Sequence, residues 1–166
     1  MNPLISNTLR AFTDPGLQPT RLPAPLDTLV SHLQSLALLA ARLYVAKIFF
    51  MSGLVKLRDW SSTLALFNDY YQVPLLPPAL AAYAGTAGEL VIPVLLALGL
   101  AGRFAGAGLF VVNLMAALSL PAEDLSAAGE AQHLLWGVLA LGVALWGSGR
   151  WSVDSMALNR AAGQLR

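Results

Sequence analysis

The chain has 166 residues, of which 57% are hydrophobic and 11% charged, with a mean hydropathy of +0.64 and a formal net charge of +1. An ordinary soluble domain carries about 25% charged residues, so this composition excludes a water-soluble enzyme and a disordered tail. Lacking a phosphate-neutralising patch, the chain is not a nucleic-acid binder either. Zero cysteines exclude disulfides, thiolate metal sites, iron–sulfur clusters and thiol catalysis, which leaves a compact all-α membrane domain.

Residues 1–32 are the most polar stretch and contain Pro3, Pro15, Pro19, Pro23 and Pro25, so they read as an irregular cytoplasmic tail with an interfacial turn near Pro3–Phe12. The first apolar run begins only near Leu33 and is too long for a cleaved signal peptide. Four apolar segments follow, at Leu33–Leu57, Pro78–Leu100, Arg103–Leu120 and Gln132–Trp146. Each approaches the roughly 20 residues that cross a bilayer as a helix, and no alternation of barrel-strand length occurs. The expected fold is a four-transmembrane-helix bundle over residues 33–154, with a carboxyl tail at 155–166.

Between the first two spans, Asp59–Val73 places Trp60, Leu64, Phe67 and Tyr71 on one side and Ser61, Ser62, Asn68, Asp69 and Gln72 on the other. That pattern predicts an amphipathic helix in the membrane interface, with a plain connecting loop as the alternative. Lys and Arg bias sets orientation. Arg10, Arg21, Arg103, Arg150, Arg160 and Arg166 share one side, against Lys56 and Arg58 on the other, so both termini are expected in the cytoplasm. Gly102 and Gly106 form a GxxxG, and Gly85, Gly88, Gly99, Gly137 and Gly142 add small contact points, for packing within the bundle or for a dimer face.

Ionisable groups inside a span are costly unless they face protein or water, which makes them the functional shortlist. Counting about 1.5 Å per residue from the helix ends brings Lys47 and Glu89 to similar depth and predicts a Lys47–Glu89 pair near the midplane. Asn113 is expected in the same polar layer, with Tyr44 and Tyr83 available to orient a ligand. Pro93 removes the helical donor for the carbonyl of Glu89 and leaves a backbone acceptor beside a buried carboxylate. Two readings stand side by side: a ligand or proton site, or residues that satisfy one another and pin the bundle. Arg42 and Lys56, 14 residues apart, share a helix face and are expected to snorkel to the two interfaces. Met51, Met115 and His133 fall at similar outer depth, a thin soft-metal set for which core packing and an interfacial histidine are the simpler roles.

Several segments together resemble the DoxX family: Arg42-Leu43-Tyr44, the run Phe49–Leu57, Asp69–Pro78 with Ala81-Ala82-Tyr83, Glu89 with Pro93, Leu98–Arg103, and Gly147–Asp154. The similarity covers Leu36 to Asp154, and the signature positions are Arg42, Gly53, Lys56, Glu89, Arg103, Ser152 and Asp154. Lys47 departs from the pattern, which has an apolar or small residue there. The resemblance implies a small four-helix protein of the bacterial inner membrane. Its relatives include a quinone-reducing subunit of thiosulfate oxidation, a component of an oxidant-defence complex, and proteins encoded beside peptide-modifying enzymes and small metal-binding peptides. It therefore implies a quinone-linked oxidoreductase subunit acting with a partner protein, with a transport, export-assisting or scaffold role as the alternative and a homodimer compatible with either.

Overall fold

The computed structural model describes residues 24–121 and 124–163, which form helices α1 (Ala24–Arg58), α2 (Trp60–Asp69), α3 (Pro78–Leu98), α4 (Gly102–Ser119), α5 (Ala127–Trp146) and α6 (Val153–Gly163). No strand occurs among the described residues, and the turn expected at Pro3–Phe12 lies outside them. Four helices are long and apolar enough to cross a membrane: Thr28–Arg58, Pro78–Leu98, Gly102–Ser119 and Ala127–Trp146, with hydropathies of 1.7, 1.6, 1.4 and 1.2. By that length and composition the chain is a membrane protein.

Two helices are longer than the apolar pattern predicts. α1 already covers Ala24, well before the apolar run at Leu33. α5 starts at Ala127 rather than Gln132, since Ser126 caps it by accepting from the Gly129 amide at 3.1 Å. A further helix, α6, occupies most of the stretch expected as a carboxyl tail.

α2 is fixed at its start by Asp59, whose carboxylate accepts from the Ser62 amide at 3.0 Å and from the Ser61 and Ser62 hydroxyls. Those bonds, the Ser62 hydroxyl first, hold the Asp59 carboxyl down at about 2. The Phe67 ring then packs on Ala81 and Ala82 in the first turn of α3, flanked by Leu64 and Tyr71. The start of α3 is thus covered by α2.

α3 and α4 are joined by a tight turn in which Gly99 and Ala101 both take left-handed backbone, at φ 66° and 48°. α4 lies close against α5 because Gly106 has no side chain: a Cβ there would stand 2.7 Å from the Ala144 nitrogen and 2.9 Å from the Ala140 oxygen. A Cβ at Gly102 would overlap the Ser148 hydroxyl. Both glycines are buried within one chain, so the GxxxG serves internal packing and not a dimer face. Around this contact Val45, Phe49, Leu96, Ala105, Leu109, Ala140 and Val143 form a filled apolar core.

Candidate functional site: a polar-walled cavity at one end of the bundle

The inward face of α1 carries Arg42, Val45, Phe49, Ser52 and Lys56. At about 100° per residue, Lys56 falls within roughly 20° of Phe49, whereas Lys47 lies some 160° away from it. Lys47 is accordingly exposed and makes no pair with Glu89; Lys56 does. The Lys56 ammonium donates to both carboxylate oxygens of Glu89, at 2.9 and 2.7 Å, and to the Ser52 hydroxyl at 3.0 Å. The side chains are 19% and 7% exposed.

The expected Lys47–Glu89 pair fails for a geometric reason. A count along each helix treats α1 and α3 as ending level, but the first turns of α3 rise past the end of α1 to pack on α2. The register is set by Gly53, where a Cβ would stand 2.8 Å from Leu90 Cγ and 3.2 Å from Glu89 Cβ. Gly53 therefore faces Glu89, and Lys56, one turn on, reaches its carboxylate. A lysine left facing lipid at mid-helix, as Lys47 is, costs about 2.5–3.5 kcal/mol.

Lys56 and Glu89 stand in the wall of a cavity of about 450 Å³. Its other polar contributors are Ser52, Ser119, Tyr71 and His133, set among Phe49, Phe67, Val112, Met115 and Trp136. Burial first, and the field of Glu89 second, raise the Tyr71 phenol above its ordinary value. Mostly apolar walls with a few converging polar groups are the usual make-up of a small-molecule site.

Asn113 is buried but joins a different polar group. Its Nδ2 donates to the His133 carbonyl at 2.9 Å, and its Oδ1 lies 3.0 Å from His133 Nδ1. Because the carbonyl requires an N–H from Asn113, the amide oxygen faces the ring and Nδ1 donates to it. His133 also meets Trp136 edge-on at 5.1 Å, and Trp136 meets Phe49 at 5.8 Å. Asn113 thus positions His133 in the cavity wall instead of lining it.

The two tyrosines expected to orient a ligand face outward. Tyr44 and Tyr83 are 48% and 58% exposed, and Tyr83 stacks on Trp60 at 4.7 Å. Tyr71, read in the sequence as an interfacial aromatic, stands in the cavity in their place; its position in the Trp60–Leu64–Phe67–Tyr71 stripe was the available signal. Of the soft-metal set, Met115 and His133 line the cavity and Met51 lies on the outer face of α1. Among the described residues no three His, Cys, Asp or Glu side chains gather.

Arg42 does not snorkel. It is fully buried, donating to the Trp151 carbonyl at 2.6 Å and to the Leu96 carbonyl at 3.5 Å. Beside it, Asp154 accepts from the Ala101 and Gly102 amides at 3.0 and 2.9 Å, satisfying the open donors at the start of α4. Ser152 accepts from the Ser155 amide and donates to the Gly149 carbonyl, which shapes the turn into α6. Arg42, Ser152 and Asp154 thus tie helix ends together, while Lys56 and Glu89 wall the cavity and Gly53 sets their register. Arg103 opens α4 at the Arg42 end, outside the cavity wall.

The family model described as DoxX matches residues 37–122, more than half of the chain. No curated protein and no solved structure gives a match.

Proposed function

From the premise that the chain belongs to the DoxX family, we propose that it is a membrane subunit of a quinone-linked redox system, binding a quinone head group in the cavity beside Lys56 and Glu89. The observation that carries this reading is the Lys56–Glu89 pair in the wall of a largely apolar void of about 450 Å³. A buried quinone carbonyl needs hydrogen-bond donors, and the Lys56 ammonium and Tyr71 hydroxyl are donors of the required kind. A bound quinone supplies two-electron, two-proton chemistry. Glu89 takes and returns protons at the wall, Lys56 holds the carboxylate in place, and the Phe49, Phe67 and Trp136 rings exclude water. Electrons come from a partner oxidoreductase.

The Lys and Arg distribution supports a bacterial inner-membrane location with both termini cytoplasmic, which puts the cavity in the outer half of the bilayer. The aromatic side of α2 supports its lying in the outer interface as a lid over the cavity. A transport role would need a polar route from the cavity to the Arg42 end. The apolar core of Val45, Leu96, Leu109 and Val143 stands between them, which favours the binding role.

The test is titration of the protein in nanodiscs with decylubiquinone, read by tryptophan quenching with Trp136→Phe as the reporter control. Saturable quenching, weakened at least tenfold by Glu89→Gln, is expected. Quenching that rises linearly with lipid-phase quinone, and equally in wild type and Glu89→Gln, overturns the proposal.

A further inference from the structure

The lipid-facing side of the α1–α3 seam carries a groove of about 280 Å³, lined on α1 by Leu43, Lys47 and Phe50 and on α3 by Pro93, Val94 and Ala97. The small side chains of Ala97 and Ala46 and the flat Pro93 ring keep it shallow. Lys47 is an exposed, charged side chain in an otherwise apolar groove.

Its depth makes the charge informative. Leu38 touches Gly149, in the turn after α5, and so marks one end of the bundle; Lys56 approaches the other. Lys47 is nine residues from each, about 13 Å in either direction. A four-carbon stem reaches roughly 6 Å, so the ammonium stops short of both headgroup layers. A charge at that depth is stable when an acceptor of opposite sign faces it.

The described residues of this chain supply no such acceptor. Among the described residues of the spans, Glu89 is buried and held by Lys56, and Glu130 sits in the first turn of α5, at the outer end. A second copy placed symmetrically on the groove would bring Lys47 against Lys47. Charge complementarity therefore selects a different polypeptide.

We propose that the α1–α3 groove docks a transmembrane helix of another protein that carries an Asp or Glu near its midpoint, paired with Lys47. The proposal goes beyond the quinone reading and does not depend on it, since the groove lies on the opposite side of α1 from the cavity.

The chain's lack of cysteines allows clean labelling. Full-length Met156→Cys protein, dye-labelled at that exposed position away from the groove and reconstituted in phosphatidylcholine vesicles, is titrated with Leu/Ala-based transmembrane peptides bearing central Glu, Gln or Leu, and association is read by energy transfer. The Glu peptide is expected to bind at least tenfold tighter than the Leu and Gln peptides. Lys47→Met abolishes the preference without lowering the melting temperature, and Lys47→Arg retains it. Equal binding of the three peptides, or a Glu preference that survives Lys47→Met, overturns the proposal. So does disulfide formation between unlabelled Leu43→Cys copies that the Glu peptide fails to suppress, because the groove would then hold a second copy.

Discussion

Replacing Lys56 by Met separates the pairing found here from the one the sequence suggests. Glu89 is 7% exposed and receives both of its side-chain hydrogen bonds from Lys56, at 2.7 and 2.9 Å. Removing one partner of such a buried pair typically costs about 3–5 kcal/mol, because the other is left desolvated and unpaired. The remaining 19% exposure of Lys56 places the expected loss at the lower end, about 3 kcal/mol. In the double variant Lys56→Met with Glu89→Met both charges are gone and apolar side chains of similar length fill the space, so stability should return to within about 1–2 kcal/mol of wild type. With Glu89→Met alone costing a similar amount, the double-mutant cycle gives a coupling on the order of 4–5 kcal/mol. Lys47→Met, by contrast, removes an exposed charge with no ion-pair partner among the described residues and should leave stability unchanged or raised. The assay is reversible unfolding by steric trapping in bicelles. Additive single-variant losses, or a larger loss for Lys47→Met than for Lys56→Met, would refute this account of the pair.

Gly53→Ala should cost about 1–3 kcal/mol, since its Cβ would press on Leu90 and on Glu89 Cβ, 3.2 Å away; a melting scan detects it, and quinone binding should weaken with it as Lys56 and Glu89 separate. Asp154→Ala removes the acceptor for the Ala101 and Gly102 amides and should cost about 1–2 kcal/mol, with increased amide exchange at the start of α4 and unaltered ligand affinity at the other end. Tyr71 should deprotonate above the ordinary tyrosine value of about 10, seen as a Tyr71→Phe difference in the alkaline absorbance titration. Its neutral form is favoured in the folded state, so that contribution to stability is complete below about pH 10 and is lost as pH rises through the raised value. Glu89→Gln should lower it only part of the way, because burial is the larger cause.

The spans were legible because each apolar run is long enough to satisfy its own backbone in lipid, a local property. The helix starts were less so: Ala127 begins a helix in a stretch whose hydropathy is too low to announce a span, and the Ser126 cap decides there. The shared face of Arg42 and Lys56 was likewise legible from 3.6-residue periodicity. Which way that face points was not, because its acceptors are the backbone carbonyls of Leu96 and Trp151 and a carboxylate whose height depends on how α3 packs against α2. Relative helix height is a tertiary quantity, set by Gly53 against Leu90 and Phe67 against Ala81, and no count along one helix contains it. The same holds for Asn113, whose partner His133 becomes a neighbour only when α4 and α5 close on Gly106 and Gly137.

The two ends of the bundle do different work. At the Arg42 end the shortest buried polar bonds run to backbone: guanidinium to carbonyl, Asp154 to amides, Ser152 to a turn. Such bonds fix helix ends whatever the ligand, so Arg42, Ser152 and Asp154 hold the scaffold together. At the Glu89 end side chains meet side chains around a void, and their identities decide what fits. The match to the DoxX family ends at residue 122 and includes Lys56, Tyr71 and Glu89 but not His133 or Trp136, which α5 contributes. Family membership therefore bears on the charged wall of the cavity together with Phe49 and Phe67, and leaves its His133–Trp136 side to this chain. It follows that replacements at His133 and Trp136 should shift ligand preference with little change in the Lys56–Glu89 coupling. If both move together, the cavity is a single packed unit and the division between scaffold and specificity drawn here fails.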